Sequence, residues 1–179
     1  MNNLMLYLTT ETLIKNGEYN MSTRGAVGMI YNHKEKIGYN HYDSYPSALG
    51  NEILTFLKGK SIEELKNIFS NIVLEDNSND VWDWKNHKFM DKFEDQHIFL
   101  IDSLFCEFAY IINLNTNKLE YYEGFNLDPN APGRYAKYTL NKNDEKVYYG
   151  VTLVKELNLS DLFDGKYAIK DNKFTLITT

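Results

Sequence analysis

The chain has 179 residues, of which 43% are hydrophobic and 25% charged, with a net charge of -6. A chain of this length buries a core without disulfides or metal, and the single Cys106 excludes a disulfide scaffold or a paired-cysteine zinc or redox site. The acid excess argues against a protein that grips nucleic acid by bulk charge. It is also too mild for a polyanionic DNA mimic.

No run approaches the ~18 apolar residues of a membrane span. The opening MNNLMLYLTT lacks the basic and cleavage features of a secretory signal, so the expected location is cytoplasmic and no membrane partner is expected. Residues 1–20 read either as an ordinary N-terminal strand or helix or as a leader. Gly17-Glu18 can be encoded as a purine-rich ribosome-binding sequence upstream of Met21, which places an alternative start there. The expectation is a leader or extension over 1–20 and a single α+β domain over 21–179.

Residues 26–31 (AVGMIY) are apolar and partly β-branched and predict a strand; the polar NHKEK reads as a turn, and residues 37–42 (IGYNHY) as the returning strand of a hairpin. Pro46 ends that pairing. Leu49, Ile53, Phe56 and Leu57 have helical spacing, and Gly59 stops the helix. Ser61 and Glu64 match a capping box before a second helix with Ile62, Leu65, Ile68, Phe69 and Ile72 on one face.

Residues 75–97 are polar and read as an irregular segment pinned by Trp82, Trp84, Phe89, Met90 and Phe93. Residues 98–104 and 108–114 look like strands. The run FAYIINLNTNKLEYYEGF is the strongest hairpin signal in the chain. A loop over 126–136 is followed by a strand at 147–155, a helical turn from Ser160 and a final hairpin around residues 170–173. The order ββαα followed by strands predicts an α+β fold, a mostly antiparallel sheet with two or three helices on one face.

Polar chemistry is densest in Ser22-Thr23-Arg24-Gly25 and in residues 39–46 (YNHYDSYP). If the first hairpin forms, both segments lie at its open end, and Arg24 comes within reach of His41 or Asp43. An Arg fork with an imidazole and a carboxylate at the lip of a sheet can grip an anionic group and move a proton. Tyr39, Asn40, Ser44 and Tyr45 could orient a ligand there. The same residues equally fit an Arg–Asp pair that merely holds strand ends.

Arg24 and Arg134 are the only arginines among 19 basic residues, and both fall in motif-like segments. Glu107 is a potential partner for either. Asp80, Asp83, His87 and Asp91 would share a face if helical, but a solvated polar face explains them as well; no metal and no cofactor is expected. Trp82, Trp84 and Tyr122 are either interface anchors or core.

The strings STRGAVGMIYN and KIGYNHYDSYPSALG, with CEFAYIINLNTNKLEYYEGF and YYGVTLVKELNLSDL further on, resemble a family of small bacterial and phage proteins that open with S/G-T-R-G and continue into YNHxDSYPxxLG. The resemblance covers about Ser22 to Leu162, names no reaction, and implies boundaries that begin near Met21. The leading expectation is a phage- or mobile-element-type accessory protein that binds a host protein or a small anionic signalling molecule, with an anti-defence role in view.

The alternative is a small hydrolase built on Arg24, His41 and Asp43. It would be either an N-terminal-nucleophile enzyme with Ser22 exposed by removal of Met21 or a nucleotide- or phosphodiester-processing enzyme with His41 as acid/base and Arg24 and Arg134 on phosphate.

Overall fold

The computed structural model describes residues 23–76, 79–140 and 145–177. Ser22 and the expected leader lie outside the described residues. The elements are β1 (Gly25–Tyr31), β2 (Lys34–Asn40), a π turn (Pro46–Gly50), α1 (Asn51–Leu57), α2 (Ile62–Asn71), and the short β3 (Val73–Leu74), β4 (Trp82–Asp83), β5 (Lys88–Phe89) and β6 (Lys92–Phe93). A 3₁₀ turn (His97–Ile101) precedes β7 (Phe108–Asn113), β8 (Lys118–Glu123), β9 (Thr152–Asn158), α3 (Leu159–Phe163), β10 (Tyr167–Lys170) and β11 (Lys173–Leu176).

Five strands make the main sheet, in the order β2-β1-β7-β8-β9. All neighbours are antiparallel except β1 and β7, which run parallel. A parallel pair needs a crossover, and the segment carrying α1 and α2 supplies it. The fold is α+β.

The hairpin turn between β1 and β2 is only two residues long. Asn32 (φ 49°) and His33 (φ 61°) both take the left-handed conformation, as a type I′ turn requires. The strand therefore resumes at Lys34, within the NHKEK stretch that reads as turn. Residues 98–104 are not a strand but the 3₁₀ turn and a bend: Cys106 N–H folds back to the Asp102 carbonyl at 2.9 Å. Their apolar residues cover the sheet rather than joining it.

The sheet is packed on both faces. Against the first face lie all three helices, with Val27, Met29, Tyr110, Ile112, Leu119 and Tyr121 from the strands meeting Leu49, Ile53, Leu57, Leu65 and Leu162. Trp82 joins this core, edge-on to Phe56 and Phe89 at 5.6 and 5.2 Å. Against the second face lie Ala26, Ile30, Ile37, Ala109, Ile111 and Tyr122, covered by Leu100, Cys106, Tyr135 and Val151. No described helix is long and apolar enough to cross a membrane.

One tie between sheet and helix is not legible as such in the chain. The Lys36 ammonium, on the helix-covered face, donates to the carbonyls of Phe69 and Ile72 at 2.6 Å each and lies 4.6 Å from the centre of the Phe69 ring. It thereby closes the C-terminal end of α2, where unpaired carbonyls concentrate negative potential. Lys36→Met keeps the apolar stem and removes the two donors. We expect a loss of about 1–3 kcal/mol in chemical denaturation, with an unchanged m-value.

Candidate functional site

The open end of the first hairpin is where the strands' polar termini collect. Gly25 faces Asn40 in the register of β1 and β2, and Phe108 in that of β7. A Cβ on Gly25 would stand 2.5 Å from the Phe108 carbonyl and 2.6 Å from the Ser44 Cβ, so the chain passes here only as glycine. Arg24 is locked by its backbone. Its N–H donates to the Glu107 carboxylate at 3.2 Å, and its carbonyl accepts from Glu107 N–H at 3.1 Å. Glu107 is thus Arg24's partner through the main chain.

The Arg24 guanidinium lies 4.7 Å above the Phe105 ring and makes no ion pair with a carboxylate among the described residues. Its positive charge acts on Tyr39 and on Asp102. Burial pushes the Tyr39 phenol and the Asp102 carboxyl above their usual ranges, partly offset in each by Arg24. One Asp102 oxygen is buried without a hydrogen-bond partner among the described residues.

His41 is close by: its ring is edge-on to Tyr39 at 4.4 Å, and Tyr39 is edge-on to Phe99 at 5.0 Å. The carboxylate bound to His41 is Asp80. His41 Nδ1 donates to Asp80, and its backbone N–H reaches the same oxygen at 3.0 Å. The His41 side chain is 52% exposed. Val81 N–H donates to the Tyr39 carbonyl at 2.9 Å, which docks the distant 80–81 segment on the end of β2.

The expected cluster is therefore redistributed. Arg24, Tyr39 and His41 share the lip. Asp43 is an exposed turn residue at φ 53°, and its carbonyl accepts from Leu49 N–H at 3.1 Å. Asn40 and Ser44 are fully buried, with Asn40 Nδ2 donating to Ser44 Oγ at 2.8 Å and the Tyr110 hydroxyl donating to the Ser44 carbonyl at 2.8 Å. They brace the corner, with Asn40 Oδ1 buried and without a partner among the described residues. Tyr45 is half-buried at the start of the π turn.

Arg134 lies elsewhere. It comes from the excursion between β8 and β9 and pairs with Glu120 on the second sheet face. Glu120 is 2% exposed and also accepts from the Tyr122 hydroxyl at 2.6 Å and from Asn113 Nδ2 at 2.8 Å. Asp80, Asp83, His87 and Asp91 do not gather either. His87 Nδ1 donates to Glu52 at 2.5 Å, and Asp83 accepts from the backbone of Lys85 and Asn86. Tyr122 is core, and Trp84 stacks with Tyr42 at 6.1 Å.

The sequence offered no sign of Asp80 as the partner of His41, because 39 residues separate them. Phe105 and Phe125 were missed as well. Both flank the same bend: Phe105 N–H donates to the Asp102 carbonyl, and Phe125 N–H to the Ser103 carbonyl at 2.7 Å. Phe125 is 55% exposed at φ 56°, a conformation that bulky side chains rarely take. Leu127, two residues on, is also exposed. The lip thus carries a cation on an aromatic ring, a His–Asp pair and exposed apolar side chains.

Compared with protein-family models, with curated proteins and with solved structures, the chain has no match.

The Arg134–Glu120 pair yields a direct test. Removing the cation leaves a carboxylate confined in the sheet face, and a fully buried pair broken on one side costs about 3–5 kcal/mol. Arg134 is 38% exposed, so Arg134→Met should cost less, about 2 kcal/mol. Adding Glu120→Gln should restore part of the loss in the same denaturation experiment.

Proposed function

We propose that this chain is a host-protein-binding accessory protein of the phage or mobile-element kind, with its docking face at the lip around Arg24. The observation that carries the reading is Arg24: a guanidinium stacked on Phe105, without a carboxylate partner among the described residues, on a rim that exposes Phe125 and Leu127. Arginine and aromatic side chains are the residue types that dominate binding energy at protein interfaces. An anti-defence role would follow if the partner belongs to a host defence system.

Affinity capture with wild-type chain, Arg24→Ala and Phe125→Ala as baits tests it. We expect one partner to be retained by wild type and its affinity to fall about tenfold or more, the equivalent of ~1.4 kcal/mol, in each variant. Equal capture by all three removes the face from consideration. A small anionic compound carried by wild type and lost from Arg24→Ala, with no protein partner, would point to a small-molecule binder instead.

The His41–Asp80 pair favours a second reading, a hydrolase in which Asp80 takes the place expected for Asp43. A carboxylate on Nδ1 fixes the orientation of an imidazole for acid–base work. Arg24 would hold a phosphate or carboxylate of that substrate. In a screen of phosphodiesters and nucleotides, His41→Asn should abolish any turnover found and Asp80→Asn should reduce it roughly 10²-fold or more. Turnover that survives both variants would sink this reading.

A further inference from the structure

Between the bend at 97–106 and the excursion that joins β8 to β9 lies a cleft of about 360 Å³, lined by Ile101, Lys137, Tyr138, Thr139, Val147 and Tyr149. Hydrogen bonds tie its three walls side by side. Ser103 N–H donates to the Tyr149 carbonyl at 3.1 Å, and Gly150 N–H to the Tyr138 carbonyl at 2.8 Å. The Thr139 hydroxyl donates to the Tyr148 carbonyl at 2.7 Å.

The lining combines aliphatic side chains, Ile101 and Val147, with two tyrosine rings. Tyr138 is 50% exposed and Tyr149 is half-buried. Tyr135, from the same excursion, packs its ring edge-on against Tyr122 at 5.3 Å. The Tyr138 and Tyr149 rings have no such aromatic partner among the described residues, and their hydroxyls no hydrogen-bond partner. The core does not use them.

One cation stands at the cleft. The Lys137 ammonium lies 5.2 Å from the centre of the Tyr138 ring. It forms no ion pair among the described residues, and its flexible stem lets the charge move to meet an anion.

Clefts that hold small ligands enclose about 300–1,000 Å³ and have mainly apolar and aromatic walls with a few polar groups. This one lies at the small end of that range. Unpaired aromatic faces take a planar ring by stacking, and the lysine adds a place for one anionic group. The net charge of -6 on the chain opposes a polyanionic strand and leaves room for a single phosphate.

We propose that this cleft binds a mononucleotide, with the nucleobase against Tyr138 and Tyr149 and the phosphate on the Lys137 ammonium. Arg24, His41 and Asp80 are not among its lining residues. The site is therefore separate from the lip, and its test does not depend on either reading of the lip.

Calorimetric titration of the full chain with adenosine 5′-monophosphate, adenosine and ribose 5-phosphate tests the proposal. We expect the monophosphate to bind, adenosine to bind more weakly, and ribose 5-phosphate not to bind. Tyr138→Ala should weaken the monophosphate about tenfold or more. Lys137→Ala should lower affinity for the monophosphate and leave that for adenosine unchanged. Arg24→Ala should change neither.

Tyr138 and Lys137 are exposed, and circular dichroism checks that the variants fold. If Tyr138→Ala does not, the Lys137→Ala comparison of monophosphate with adenosine serves in its place. The proposal is overturned by absence of binding, by ribose 5-phosphate binding as well as the monophosphate, or by affinity that Tyr138→Ala and Lys137→Ala leave intact. Loss of binding in Arg24→Ala also overturns it, because the nucleotide would then sit at the lip.

Discussion

Two strands, β1 and β7, are covered on both faces, and the rest of the molecule is arranged around that constraint. β1 is buried from Gly25 to Ile30, and β7 from Ala109 to Asn113. Such strands cannot alternate apolar and polar residues; they need a layer on each side. The helices supply one layer. The other consists of non-regular chain, the bend at 97–106 and the excursion between β8 and β9. Non-regular chain brings backbone groups that must find partners. They find them in one another: Ser103 N–H with the Tyr149 carbonyl, Val151 with Leu100, Gly150 with Tyr138, and Asn126 Nδ2 with the Gly150 carbonyl.

That second layer explains where the two arginines are. Arg134 is carried by the covering layer and enters the sheet face at Glu120, a carboxylate that the strand's alternation turns inward between Leu119 and Tyr121 on the opposite face. Arg24 marks the point where the chain enters β1, and the covering bend brings Phe105 under its guanidinium. One arginine thus fastens the layer. The other is left at its rim, beside side chains that the layer does not cover.

Much of the fold was legible because it rests on local pattern. Residues 26–31 and 108–114 are apolar runs, Ser61 caps α2 with Oγ accepting from Glu64 N–H and donating to the Glu64 carboxylate, and Asn115-Thr116-Asn117-Lys118 turns the chain between β7 and β8. Where the reading failed, another force prevailed. Residues 98–104 are apolar enough for a strand, yet that composition serves a bend packed flat on the sheet, since periodicity reports burial and not backbone form. The strand expected at 147–155 starts at Thr152, because residues before it pair within the covering layer instead.

The candidate site was legible only in part. Alternation along β2 placed Tyr39 with His41, and the hairpin placed Arg24 near them. The same reading put Asp43 in the site; Asp43 is itself left-handed and turns the chain beyond the strand end. Asp80, Asp102 and Phe125 reach the lip only through contacts between segments far apart in the chain, for which a single sequence holds no signal.

The sequence by itself therefore determined the class of fold, the main hairpins, the capped helix and the position of a polar lip, all consequences of spacing within a few residues. Tertiary structure alone decided which carboxylate meets His41 and that Arg134 pairs with a buried Glu120. Those outcomes depend on which layers stack across the sheet, and stacking is set by the shape of the whole chain.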